Sequence, residues 1–334
     1  MINVDGYIFE GKYAKLCADF IKHKRSLGYK YDARAVRHVR YLNKHLSSHA
    51  SGQLTDDYSL NKDTVVAFVA KRPTETAATQ QRREIVIRQF AIYLSSLGIS
   101  AYIAPALQKW CTRSTFTPYI FTSKQVAAIL NVVDNLEYEY RSPHFHHVYP
   151  LLIRLLYCCG LRISEALSLK IEDIDFYENV LRIEQAKFNN SRLIPMSESL
   201  CAALDAYMIQ LGYSKSGKGL LFRTKWGRAY HPQSVYHRFK DFMKKAGIPS
   251  SKNGGLPRLH DLRHTFAIHS LDSMVAQGLD AYHVLPYLSV FMGHRNIKDT
   301  EKYLRLTPTA FGDIITALIP LYGDLFHQQE VSNE

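Results

Sequence analysis

The sequence predicts a mainly α-helical chain with one small antiparallel β-sheet, an α+β fold made of an N-terminal helical bundle and a larger C-terminal domain. Three observations carry that reading. The chain has 334 residues, and domains of about 150 residues each give two. Apolar residues recur at helical spacing through most of it. Between 170 and 196 the pattern changes to short β-like runs separated by Glu178-Asn179 and Asn189-Asn190-Ser191, the turn chemistry of an antiparallel sheet. A hydrophobic content of 46% is enough for a core of that size and excludes a disordered chain.

The first helix is expected over 11–27, with Tyr13, Leu16, Cys17, Phe20 and Ile21 inward and Gly28 as its stop. A second spans 32–46 and carries Val36, Val39 and Leu42 on one face. A third follows Asn61 and Asp63 with Val65, Val66, Phe68 and Val69. A fourth covers 76–97, with Ile85, Phe90 and Leu94 apolar, and ends at Gly98. Four short helices with polar connections make a bundle over 1–108. Periodicity fades over 99–120, where Pro105, Thr112-Arg113-Ser114-Thr115 and Pro118 mark a linker, set at 109–120.

A second domain is expected over 121–334. It opens with a helix capped by Thr122 or Ser123 that bears Val126, Ile129, Leu130 and Val133. A strongly apolar helix over 146–159 closes at Gly160. Strands follow at 170–175, 180–185 and 192–196, and the chain is then mostly helical to residue 326. Near its end, 309–321 reads as a short apolar helix with Phe311, Ile314, Ile315, Leu318 and Ile319, and 328–334 as a polar tail. There is no internal repeat.

Charge narrows the partner. A net charge of +12 favours a polyanion through field strength and counterion release. Residues 1–112 hold 17 basic and 9 acidic side chains, so two thirds of the excess sits in the first third of the chain. Within it, Lys22, Lys24, Arg25, Lys30, Arg34, Arg37, Arg40 and Lys44 face only Asp32. Arg34, Arg37 and Arg40 recur every three residues, a basic stripe beside the apolar one. Lys22, Lys24, Arg25, Arg34, Arg37 and Arg40 are therefore candidate phosphate contacts. The five cysteines are odd in number and lack a CxxC pair, as expected of buried thiols in a reducing compartment. No run approaches the ~20 apolar residues of a membrane span, and no signal peptide is visible. The expected location is cytoplasmic and nucleoid-associated.

Five segments of the second domain carry basic or phenolic side chains: Gly160–Leu167 (GLRISEAL), Lys187, His260–Thr265 (HDLRHT), Gly293–Asn296 (GHRN) and Thr300–Leu304 (TEKYL). Singly they are ordinary. An Arg after a Gly is most often a surface residue, and one Tyr among 22 is most often core. In this order, however, they resemble the tyrosine recombinase (phage integrase) family. Arg162 looks like its first catalytic arginine, and Glu165 like the acidic residue one turn later. Lys187 falls at its hairpin lysine. His260 and Arg263 match the HxxR motif, continued by His264 in a supporting place. Gly293-His294 matches the GH motif, and Tyr303 the nucleophile. The resemblance covers about 125–320, and the N-terminal bundle by architecture alone, as a core-binding domain. Two departures stand out: the stretch from 264 to 293 is longer than usual, and Phe188-Asn189-Asn190 follows Lys187 in place of a Gly- and Lys-rich turn.

The resemblance implies metal-independent, cofactor-free cleavage and rejoining of double-stranded DNA through a 3′-phosphotyrosyl link, by a C-shaped clamp that closes on the duplex. Two planar, always charged arginines suit the extra negative charge of a phosphoryl transition state. A phenol with a pKa near 10 needs a base, and His260 is the expected acceptor of its proton. Lys187 would protonate the leaving 5′-oxygen, and His294 would hold a phosphate oxygen. A homo-oligomer, a tetramer on DNA, is implied through the helix at 309–321. Carboxylate pairs such as Glu172-Asp173 lie beside a strand and outside any His-rich metal spacing, and His144, His146 and His147 read as a polar or DNA-facing loop rather than a metal site. Two other readings share some of these features. A type IB topoisomerase has similar cleavage chemistry, and a non-catalytic sequence-specific DNA-binding protein would have the same charge. The second leaves the ordered motif set unexplained.

Overall fold

The structure, a computed structural model, describes residues 1–49, 58–105, 117–184, 191–250, 255–294 and 296–304. The chain divides into two compact units, Met1–Phe116 and Thr117–Glu334. The first opens with a hairpin that the helical reading did not anticipate, β1 (Ile2–Val4) paired antiparallel with β2 (Tyr7–Phe9). Its two-residue turn is Asp5-Gly6, both at positive φ (50° and 80°), as a type I′ turn demands. Asn3 Oδ1 accepts the Gly6 N–H at 3.0 Å.

Helices α1 (Ala14–Ser26), α2 (Ala33–His49), α3 (Lys62–Val69) and α4 (Ala77–Ser96) follow. The Asn61 and Thr76 side chains cap α3 and α4 by accepting from Thr64 N–H and Thr79 N–H, each replacing water on an otherwise unpaired donor. Phe20, Val36, Val39, Leu42, Phe90 and Leu94 are fully buried at the centre, with Phe20 edge-on to Phe90 at 5.5 Å. Val66 and Ile85, apolar residues of the third and fourth expected helices, are exposed. The inward stripe of α4 is Ile87, Phe90, Ala91 and Leu94, and Ile85, two residues before it, lies about 200° away around a 3.6-residue helix. Val66 likewise flanks the Val65–Phe68 stripe of α3.

The second unit begins with α5 (Ser123–Asp134), closed at its start by a Thr122–Gln125 capping box, and the apolar α6 (Phe145–Cys158). After α7 (Ile163–Ser168) come a 3₁₀ turn (Ile171–Asp173), β3 (Ile174–Asp175), β4 (Val180–Ile183) and β5 (Arg192–Pro195). The sheet is antiparallel in the order β3-β4-β5. Most of the first expected strand is thus a turn, because Asp173 Oδ2 accepts the Lys170 N–H at 2.8 Å and closes the chain on itself. Leu181 pairs with Ile194 and Ile183 with Arg192, so the pleat buries Arg192 on the face shared with Ile194. Then follow α8 (Glu198–Gln210), α9 (Pro232–Lys245), α10 (Asp261–Ala276), α11 (Ala281–Met292) and α12 (Lys298–Leu304). Lys187, most of the expected linker, the helix expected at 309–321 and the polar tail lie outside the described residues.

The main core of this unit gathers on α6, with α5, α8, α9 and the sheet around it. A smaller core forms under α10, α11 and α12, where Ile268, Leu271, Leu288, Met292 and Tyr303 pack together. Helix α10 is fixed by buried Thr265, whose hydroxyl donates to Asp261 O at 2.8 Å and accepts Phe121 N–H at 3.0 Å. No helix among the described residues is long and apolar enough to cross a membrane.

Gly160 joins α6 to α7 at φ +56°, and a Cβ there would stand 2.5 Å from Phe266 Cδ1. That ring cannot yield freely, since it stacks on Phe291 at 5.4 Å. Gly160→Ala therefore combines a left-handed backbone with overpacking, and should lower unfolding free energy by about 2–4 kcal/mol in denaturant melts. Wild-type stability in the variant would contradict this account of the junction.

Candidate active site

Arg162 sits at the N-cap of α7, and its own backbone N–H donates to Glu165 Oε2 at 2.9 Å. Its Nη1 donates to Glu165 Oε1 at 2.6 Å and its Nη2 to Gly293 O at 3.1 Å. Glu165 is shared. Arg192 reaches it through Nη1 (3.2 Å) and Nη2 (2.9 Å) while Nε donates to Phe291 O at 2.8 Å. Burial pushes the Glu165 carboxyl up, but the hydrogen bond and charge of Arg192, with Arg162 beside it, outweigh this and bring it to about 2. The Arg162 side chain is 35% exposed and that of Arg192 only 6%. Arg162 therefore remains partly open to solvent, whereas Arg192 is buried and braces the carboxylate.

Arg263, 2% exposed, donates to Gly160 O and Met292 O. Burial, then the charge of Arg162, lowers its guanidinium to about 10, which leaves it charged at neutral pH. It links the turn before Arg162 to the end of α11. There Gly293 takes the left-handed C-cap conformation (φ 63°, ψ 44°), which a glycine adopts without steric penalty. His294 follows, its N–H donating back to Ser289 O at 2.9 Å, and its Nδ1 lies 2.8 Å from the hydroxyl of buried Thr300.

His260 is the N-cap of α10, and three residues on stands Arg263. His264 lies edge-on to His260, ring centroids 4.8 Å apart, and its Nδ1 is 3.0 Å from Tyr303 Oη. The imidazole in contact with the phenol is thus that of His264, which the sequence reading gave a supporting place. The His294 ring stacks on Tyr303 at 6.1 Å. Burial raises the Tyr303 hydroxyl, opposed by the charges of Arg263 and Arg162. Burial, first, and the neighbouring cations bring His260, His264 and His294 each to about 4. One site thus gathers two arginines, three neutral imidazoles and a protonated phenol.

In the N-terminal unit the six candidate phosphate contacts divide. Lys24 Nζ donates to Gln89 at 2.7 Å, Arg25 donates to Tyr31 O and pairs with Asp5, and Arg40 donates to Ile8 O at 3.3 Å. These three hold their own unit together. Lys22 makes a loose 3.5 Å pair with Asp19. Arg34 and Arg37 are exposed. Burial and the charges of Arg37, Arg82 and Arg34 lower the pKa of His38, which places Arg82 of α4 beside the stripe on α2. Elsewhere, the His146 and His147 rings lie tilted to each other, centroids 3.8 Å apart, yet among the described residues no three His, Cys, Asp or Glu side chains gather as a metal ion would need.

A sequence model of the phage integrase family matches residues 120–309. The chain belongs to the phage integrase family. It is a site-specific recombinase of the tyrosine type. The recombinase is 27% identical over 296 residues to the protein designated y4rB of Sinorhizobium fredii, a match covering 87% of this chain and 91% of that one. It is 30% identical over 193 residues to tyrosine recombinase XerA of Pyrococcus horikoshii, 57% of this chain and 58% of the relative. In fold it is similar to the crystal structure of XerH site-specific recombinase bound to palindromic difH substrate, with a TM-score of 0.64 at 16% identity over 93% of this chain and 97% of that one.

Three participants escaped the sequence reading. Arg192 could have been found from strand alternation, since its partner Ile183 and its neighbour Ile194 both face inward and a buried guanidinium must be paired. Thr300 and Arg82 gave no local signal. The site also sets a pH dependence for the recombinase. The three histidines are neutral in the folded protein down to about pH 4 but accept protons at 6.5 when unfolded, so the stability they confer is complete above pH 6.5 and lost as pH falls toward 4. Glu165 adds a separate loss between 4.5 and about 2. Thermal melts across this range should show the melting temperature falling, and Gln at 260, 264 and 294 should flatten most of the upper fall. A flat wild-type profile would contradict the buried, neutral imidazoles.

Proposed function

We propose that the recombinase cuts and rejoins one strand of double-stranded DNA at a time, with Tyr303 as nucleophile and a 3′-phosphotyrosyl enzyme as the intermediate. One observation carries the reading: the Tyr303 hydroxyl, 3.0 Å from an imidazole, stands in the field of Arg263 and Arg162. Arg162 and Arg263 clamp the scissile phosphate and stabilise the charge that builds on its non-bridging oxygens. His294, its Nδ1 engaged by Thr300, offers Nε2 to a phosphate oxygen. His260 lies within the field of both arginines and serves the same phosphate. The phenol proton passes to the imidazoles of α10, and Lys187, the role its family position implies, protonates the leaving 5′-oxygen. The covalent link conserves the bond energy that rejoining needs.

DNA is the partner that the net charge of +12 and the difH-bound XerH likeness support. Arg34, Arg37 and Arg82 supply a phosphate-facing surface on the N-terminal unit, which serves as the core-binding domain. Exchange between two sites requires several copies, joined through the apolar segment at 309–321 in a tetramer. Integration, excision and transposition are all served by the same chemistry.

With a nicked suicide duplex bearing the crossover site found by footprinting, wild-type protein should form a covalent adduct on a denaturing gel. Tyr303→Phe should form none while binding the duplex normally, and an adduct in that variant would remove Tyr303 from the role. Replacing Arg34, Arg37 and Arg82 with Ala should lower the slope of log affinity against log salt by about 3, near 0.9 for each phosphate no longer neutralised. An unchanged slope would move the DNA-facing surface elsewhere.

A further inference from the structure

The imidazole that touches the nucleophile is not the one in the HxxR pair. His264 Nδ1 is 3.0 Å from Tyr303 Oη, with ring centroids 5.7 Å apart at 56°. His260 stands one ring further back. Resting on the reading that Tyr303 attacks the phosphate, we propose that His264 is a catalytic residue of strand cleavage, taking the proton of the Tyr303 hydroxyl as the phosphotyrosyl bond forms and returning it when that bond breaks.

The distance is that of a base poised on its proton. A neutral imidazole with its proton on Nε2 presents the Nδ1 lone pair, and the phenol O–H donates to it. The base is held still. His264 is the fourth residue of α10, whose first turn is pinned by Asp261 accepting Arg258 N–H at 2.7 Å and by the Thr265 hydroxyl. The charged and titratable groups facing it are His260, Asp261, Arg258 and Arg263 on α10 and the turn before it, Tyr303 on α12, and His294 after α11. Asp261 and an incoming phosphate favour the imidazolium, while Arg263 and Arg162 favour the phenolate.

The step balances. The Tyr303 O–H bond breaks and an N–H bond forms on His264 Nδ1. The phenol oxygen bonds to phosphorus, the P–O5′ bond breaks, and the 5′-oxygen leaves as an alcohol on taking a proton from the acid assigned to Lys187. In rejoining, the 5′-hydroxyl attacks phosphorus and yields its proton to the amine assigned to Lys187, the P–O bond to Tyr303 breaks, and His264 gives its proton back to the phenol oxygen. No oxidant or external co-reactant enters.

His264→Asn tests the assignment, because its amide oxygen takes the position of Nδ1 and accepts the phenol hydrogen bond without accepting the proton. In single-turnover cleavage of the nicked duplex, the variant should bind DNA and melt as wild type does, yet cut about 100-fold more slowly at neutral pH. Its rate should climb about tenfold per pH unit as hydroxide replaces the imidazole, while the wild-type rate stays level. His260→Asn should slow cleavage without acquiring that climb. A wild-type rate in His264→Asn, a loss equal at every pH, or a climb found in His260→Asn instead would each overturn the proposal. Should His264→Asn fail to fold, ¹⁵N-histidine spectra of the wild-type protein decide: unprotonated Nδ1 on His264 supports the assignment, and protonated Nδ1 overturns it. Tyr303→Phe run alongside separates the two levels. An adduct there defeats the nucleophile itself, whereas no adduct there with a wild-type rate in His264→Asn defeats only the base.

Discussion

Three consecutive carbonyls at the end of α11 accept hydrogen bonds from three different arginines: Phe291 from Arg192, Met292 from Arg263 and Gly293 from Arg162. The end of a helix leaves its last carbonyls without internal partners and carries partial negative charge. Guanidinium groups satisfy both conditions at once. They come from β5, α10 and the N-cap of α7, so a single helix end draws together segments as much as a hundred residues apart in sequence. Carbonyls orient these cations without neutralising them. With Glu165 as the carboxylate bridging Arg162 and Arg192, positive charge remains in surplus, and the partly exposed Arg162 presents it outward. A second carboxylate in place of these carbonyls could have held the same guanidinium groups only by weakening the field.

The proton-carrying groups rest in their uncharged forms for one shared reason. Burial disfavours charge on the Tyr303 phenol and on all three imidazoles alike. The permanent charges beside them are the arginines, which a lower pKa of about 10 does not discharge at neutral pH. In the proposed reaction an arriving phosphodiester brings the missing negative charge, which offsets the arginine field that keeps the histidines neutral and so favours an imidazolium. On the proposed function, proton transfer is thereby tied through electrostatics to occupancy of the site.

What could be read in the sequence follows from how local each signal is. Apolar periodicity gave α1 to α6 because each stripe is complete within a few turns, although an apolar residue such as Val66 or Ile85 can border a stripe without belonging to it. The Asp5-Gly6 turn between alternating residues is an equally local hairpin signal. Arg162, His260, Arg263, His294 and Tyr303 stood out by motif order. What motif order cannot convey is which imidazole touches the phenol. His260 and His264 both lie near the start of α10, and the choice depends on where α12 lies against that helix. Arg192 was hidden for a similar reason, since its partner Glu165 belongs to another element, and only the register Ile183↔Arg192 brings it to the buried face.

Stability and chemistry draw on the same packing at α10–α12. Tyr303 is a member of the small core formed with Ile268, Leu271, Leu288 and Met292, so the proposed nucleophile is positioned by packing as much as by hydrogen bonding. That core lies apart from the main one around α6, and the two communicate through Arg263 and Thr265, both almost wholly buried. Burying such polar groups costs free energy that hydrogen bonds only partly return. The arrangement persists because these side chains bond across elements. Arg263 donates to Gly160 before α7 and to Met292 of α11, while the Thr265 hydroxyl donates to Asp261 within α10 and accepts from Phe121 ahead of α5. A rigid site follows directly, since neither side chain can relax without leaving a buried group unpaired on its neighbour.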